Sequence, residues 1–207
     1  MSPLARPLAL ALLAGTALLG VGAVLHPVLA GDAAAQLHLI AGTTFWRPLH
    51  LAMLAGSALV VAGVWVRVTL GRDAAIPPAL VAALAVVSIG LTVNALNIAY
   101  MAGSGWHLAA MYAAGRTDLA ALFEVTHPIG LMAARFGNAL VALGALMLGI
   151  VERHDAASPR WMSLLAWLAA AGGIVGVLFF DESSRAALGA VALLSAWQVA
   201  TAIRALK

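Results

Sequence analysis

Residues 77–101 read PPALVAALAVVSIGLTVNALNIAYM, twenty-five positions without a charged side chain. A hydrocarbon layer of about 30 Å takes about 20 apolar residues to cross in helical form. The segment is therefore long enough for one crossing, and it lacks the alternation of a barrel strand. Outward from it, five further stretches meet the same criterion. The expected spans are residues 8–29, 49–70, 77–101, 127–151, 161–180 and 186–203. The expected fold class is all-α: a polytopic membrane helix bundle of six transmembrane helices, forming a single domain over residues 1–207.

Composition leads to the same place. The chain is 64% hydrophobic and 9% charged, with a mean hydropathy of +1.03. A soluble domain carries roughly 25% charged residues to face water. Eight acidic and eleven basic residues cannot cover a globule of this size, so lipid is the solvent for most of its surface. No basic run is interleaved with aromatics, which argues against nucleic acid as a partner. There is no cysteine. That excludes disulfides, Fe–S clusters, thiolate zinc sites and thioether-linked haem. A metal would need His, Met, carboxylate or backbone oxygen.

Arg6 ahead of the first span, and Val28-Leu29-Ala30 before Gly31, have some look of a cleavable signal. The apolar region is long for that role and reads as a retained helix. Orientation follows from the Lys and Arg count of the short loops. Arg6, Arg67, Arg72, Arg153, Arg160, Arg204 and Lys207 fall on one side, seven in all. Arg47, Arg116, Arg185 and the span residue Arg135 fall on the other, four in all. The seven-charge side is expected to be cytoplasmic, with both termini on it (N-in, C-in), in a bacterial inner membrane. Trp46 and Trp106 then mark the outer boundary, and Trp65, Trp161 and Trp197 the inner one. Gly172 and Gly176 form a small-xxx-small pair that suits close packing within the bundle.

The loops are unequal. The inner connections, residues 71–76 and 152–160, are short, whereas the outer ones cover residues 30–48 and 102–126. Asp32 is placed to cap a short helix reaching Leu39, and Thr117 another reaching Val125. Their apolar content predicts short interfacial helices on the outer side. Structured loops on one face are where function concentrates.

Five of the six histidines fall on this outer side: His26, His38, His50, His107 and His127, with His154 inside. Any one alone is easily held at an interface, with part of its ring wet. Their convergence suggests a site. His50 and His127 open spans two and four and are the best axial pair for haem b, with Arg135 placed to meet a propionate. A transition metal ion would instead draw three or more ligands from His26, His50, His107, Glu124 and His127. Glu124 and His127 have the i, i+3 spacing of a shared helix site, although Pro128 intervenes at the start of the span. The plainer role for Glu124 is at the N-terminus of span four. Met111 lies one turn from His107, and Met53, Met101 and Met132 sit in the same outer half. Each of these methionines is also an ordinary packing residue. Asn94, Asn97 and Asn138 read as interhelical hydrogen-bond groups. Arg135 inside the hydrocarbon costs about 2.5–3.5 kcal/mol unless it snorkels or faces a partner. The spans as drawn contain no acidic residue to pair with it.

The run Leu25-His26-Pro27, followed by Trp46-Arg47-Pro48-Leu49-His50-Leu51-Ala52-Met53, resembles small uncharacterised bacterial membrane proteins of the DUF4386-like type. There a His-Pro ends the first helix and a His opens the second. The resemblance covers mainly the first seventy residues and implies a six-span plan, with no assigned activity to carry over.

The expected function is thus an outward-facing haem or metal site serving redox chemistry or electron transfer. Two alternatives stand beside it. One is an accessory or assembly subunit of a membrane complex, with partner subunits and no cofactor of its own. The other is a membrane-embedded metal-dependent enzyme acting on lipid. Transport is disfavoured by the lack of acidic residues in the expected spans.

Overall fold

The computed structural model describes residues 3–70, 75–155, 158–178 and 185–207, without the side chains of residues 185–188 and 190. Arg72, the side chain of Arg185 and residues 179–180 of the expected fifth span lie outside the described residues. Regular structure within them is all helical: α1 Ala5–Leu25, α2 Ala33–Gly42, α3 Trp46–Gly63, α4 Pro78–Tyr100, α5 Trp106–Ala113, α6 Leu119–His154, α7 Arg160–Leu178 and α8 Arg185–Leu206. Two non-α segments extend these helices. A 3-10 stretch, Val64–Thr69, continues α3, and a π-helical stretch, Met101–Gly105, joins α4 to α5.

Five helical segments are long and apolar enough to cross a membrane: Ala5–Leu25, Trp46–Thr69, Pro78–Ala113, Leu119–His154 and Arg160–Leu178. The protein is an all-α, polytopic membrane bundle. The expected stretch 186–203 forms α8, whose described apolar part is Val191–Leu206.

Packing arranges the long helices in a closed ring. Each touches two neighbours, in the order α1, α3, α4, α6, α7, α8 and back to α1. Neighbours run antiparallel. Leu12 of α1 lies against Gly63 of α3, while Gly22 of α1 lies against Met53. Gly144 of α6 meets Val87 of α4, while Gly130 meets Asn97. Lipid supplies no hydrophobic drive between helices, so close backbone approach must hold them. Glycine makes that approach possible. A Cβ on Gly15 would sit 2.6 Å from the Gly56 carbonyl oxygen, and one on Gly137 would sit 2.5 Å from the Asn94 nitrogen. The contact glycines recur at intervals of seven: Gly15 and Gly22, Gly56 and Gly63, then Gly130, Gly137 and Gly144. A seven-residue repeat keeps one seam facing the partner when helices coil left-handedly. In α7 the buried glycines are Gly173 and Gly176, and Gly172 of the expected pair is only partly covered. Gly173 faces Ala142 of α6.

The expected outer loops are largely helix. Asp32 caps α2, its carboxylate accepting from the Ala35 N–H at 2.9 Å. The second loop contains no separate Thr117-capped helix. Span three runs through the π stretch into α5, and span four is extended backward through Pro128 to Leu119. Proline costs α6 a hydrogen bond, yet packing on both sides of it keeps the helix continuous. The segments Pro78–Ala113 and Leu119–His154 have 36 residues each, about 54 Å at 1.5 Å per residue. That exceeds the roughly 30 Å of hydrocarbon. The surplus forms a cap with its own buried core of Leu29, Leu37, Ile40, Trp46, Met101, Leu108, Ala109 and Phe123. A larger core fills the bundle and draws on all six ring helices.

Candidate functional site

At the cap end, the turn after α1 brings His26 to the first turns of α3. Its Nε2 lies 3.2 Å from Nε2 of His50. The other nitrogen of His50, Nδ1, is 2.8 Å from the Trp46 carbonyl and donates to it. Nε2 of His50 is then the acceptor and His26 the donor. Trp46 packs against both rings, with centroids 4.9 Å from His26 and 4.5 Å from His50. Its indole N–H donates to the Met101 carbonyl at 3.2 Å. Met101 opens the π stretch, where the shift from i+4 to i+5 bonding disturbs the helix's own pairing. That irregularity ties α3 to α4, and the contact buries Trp46 completely.

His127 occupies a different niche. It stacks on Phe123 at 4.7 Å and lies parallel to Tyr100 at 6.4 Å. The Tyr100 hydroxyl meets Thr126 at 2.7 Å. Beneath, Asn94 donates to Asn138 at 2.8 Å, joining α4 to α6 as interhelical glue. Arg135 is half-buried on α6. His107 and Glu124 are exposed on the cap, and exposed His38 meets the edge of Tyr112. Arg47 lies 4.8 Å over the Trp106 ring. Arg116 and Asp118 form an exposed two-point pair between α5 and α6. That hydrogen bonding holds the Asp118 carboxyl below its usual range and raises Arg116.

These positions overturn the expected metal chemistry. Among the described residues, no group of three or more His, Asp or Glu side chains converges to hold a metal ion. Of His26, His50, His107, Glu124 and His127, His26 and His50 meet, and they bond to each other. Both ring nitrogens of His50 are engaged within the protein. The His127 ring packs on protein aromatics, and His107 and Glu124 point away on the cap surface. Neither a transition metal ion nor haem b held by His50, His127 and Arg135 fits this arrangement. The metal-binding, haem and electron-transport reading is therefore withdrawn.

The opposite end holds the feature that loop counting missed. Arg67 is not a loop charge: it is only 4% exposed, and Glu152 only 5%. The 3-10 stretch turns Arg67 inward, where it pairs with Glu152 of α6 and donates to Thr201 of α8. Its guanidinium lies 4.6 Å over Trp197. Farther along α8, Gln198 accepts from Thr16 of α1 at 2.9 Å. Arg204 donates to Ser158 at 2.9 Å. Polar groups thus fasten α8 to α1, to the connection between α6 and α7 and, through Arg67, to the end of α3 and to α6. The available signal is one of topology: Arg67 lies near the end of span two on the same side where Glu152 follows span four.

No protein family, curated protein or solved structure matches this chain.

Proposed function

We propose that the chain is an accessory or assembly subunit of a membrane complex, acting through its cap and carrying no cofactor of its own. The observation behind this reading is the cap itself. Two 36-residue helical segments and α2 build a second core at one end of the bundle, and its surface presents Arg47, His107, Glu124 and the Arg116–Asp118 pair. The histidines and tryptophan beneath are engaged in binding the cap to the bundle. A folded platform of this kind suits docking by the extramembrane part of a partner subunit.

In the proposed arrangement α8 is the sixth crossing, both termini are cytoplasmic, and the cap stands on the outer side of a bacterial inner membrane. The excess of Lys and Arg on the opposite side supports that orientation. The test is mild solubilisation and purification of the chain, followed by mass measurement of the intact particle. A partner in fixed stoichiometry is expected, lost on combined Arg47→Glu and His107→Glu substitution while the chain still folds. A monodisperse particle containing this chain alone, unchanged by those substitutions, would overturn the proposal.

A further inference from the structure

The helices that meet at the Arg67–Glu152 pair carry polar atoms left over from the protein's own bonding. Among the described residues, Oε2 of Glu152, Oγ of Ser163 and the indole nitrogens of Trp167 and Trp197 are buried without a hydrogen-bond partner. Ser163 and Trp167 stand one turn apart on α7, against the face of α6 that carries Gly149. A Cβ on Gly149 would fall 2.3 Å from Nε1 of Trp167 and 3.2 Å from the Ser163 carbonyl. Glu152 follows Gly149 by three residues, on the same side of α6. Trp197 lies beneath the guanidinium that pairs with Glu152. Three helices and the 3-10 stretch thus bring these groups to one level of the bundle.

An unpaired buried donor or acceptor costs about 1–3 kcal/mol, and native interiors rarely leave several together. Polar character selects the occupant. Two indole N–H groups can only donate, so they require an acceptor. The free carboxylate oxygen requires a donor. An anion could not donate to the Glu152 carboxylate, and a cation could not accept from the indole N–H groups. The occupant must be small and uncharged, and must both donate and accept. We infer that the end of the bundle opposite the cap encloses ordered water, which accepts from Trp167, Trp197 and Ser163 and donates to Glu152. Buried water commonly makes about three such bonds. A hydrated ion pair is thereby built into the ring where α8 closes it.

The test uses the full chain in lipid nanodiscs, in polyol-free buffer so that water is the sole small hydroxylic species. With 15N-labelled indoles, water-edited solid-state NMR reads transfer from water to each indole N–H. Trp46, buried and bonded to the Met101 carbonyl, serves as the dry reference. The signals of Trp167 and Trp197, identified by their loss in Trp167→Phe and Trp197→Phe, are expected to build up several-fold faster than that of Trp46. Build-up as slow as Trp46 would overturn the inference. Should either variant fail to fold, a density map of the wild-type chain at a resolution that shows waters decides the matter. Peaks within hydrogen-bond distance of Glu152 Oε2 and of an indole nitrogen are expected, and apolar contact without density there would overturn it.

Discussion

Arg67 and Glu152 show why a charge count reads a membrane protein poorly at single positions. Either side chain alone would be costly to bury. Together, with Thr201 and the Trp197 face, they pair the two charges in a contact among three elements. Replacing one partner by alanine strands the other charge, a loss of about 3–5 kcal/mol. Arg67→Ala and Glu152→Ala are each expected to lower the thermal unfolding midpoint in detergent sharply. The double substitution Arg67→Met with Glu152→Leu should recover most of the loss. Single variants as stable as the parent would deny the pair its role. At the cap, Asp118 offers a pH-dependent counterpart. Its carboxyl is lowered by the Arg116 hydrogen bonds, so the pair's contribution is present above the ordinary carboxylate range and fades as pH falls through the lowered value. An NMR titration should place the Asp118 midpoint below 3.8, its ordinary value, and Arg116→Ala should return it upward.

Helix packing turns on the glycine seams. A methyl on Gly137 would meet the Asn94 backbone at 2.5 Å, whereas one on Gly42 meets nothing within 4 Å. Gly137→Ala is therefore expected to destabilise the bundle by about 1–3 kcal/mol, while Gly42→Ala leaves it unchanged or slightly firmer. Unfolding of both variants in the same detergent checks the contrast. The irregular segments are as informative. Trp46→Phe removes the N–H that meets the Met101 carbonyl, a loss of about 1 kcal/mol. Faster amide exchange is expected across the π stretch, with exchange in α7 unchanged. Apolar runs and Asp32 made the spans and the α2 cap readable from sequence, because both depend on local chemistry. The π stretch, and the continuity of α6 through Pro128, are not local. The residues 101–126 read as an interfacial loop until the helical segments Pro78–Ala113 and Leu119–His154 are seen to run through most of it.

At the scale of the molecule, the sequence pattern led to a helical membrane bundle, and α8 meeting α1 makes that bundle a ring. The five histidines grouped on one side drew attention to the cap, where His26 and His50 do meet. Their chemistry is not legible from topology, which places residues at a level along the membrane normal, not at a position around the ring. Ligands must share both. His50 and His127 sit in separate packing niches on separate helices, and each is absorbed into aromatic and backbone contacts. Ring closure is accessible to cross-linking, since the chain has no cysteine of its own. Cysteines replacing Thr16 and Gln198, which are hydrogen-bonded at 2.9 Å, should be joined by a short bifunctional thiol cross-linker. The central claim is a ring whose cap faces outward and whose ends face the cytoplasm. Its most direct test is labelling of intact cells with a membrane-impermeant maleimide, using Arg116→Cys on the cap and Lys207→Cys at the chain end, both exposed. The account predicts labelling at 116 in intact cells, and at 207 only after the membrane is permeabilised. Labelling of 207 in intact cells with 116 protected would contradict it.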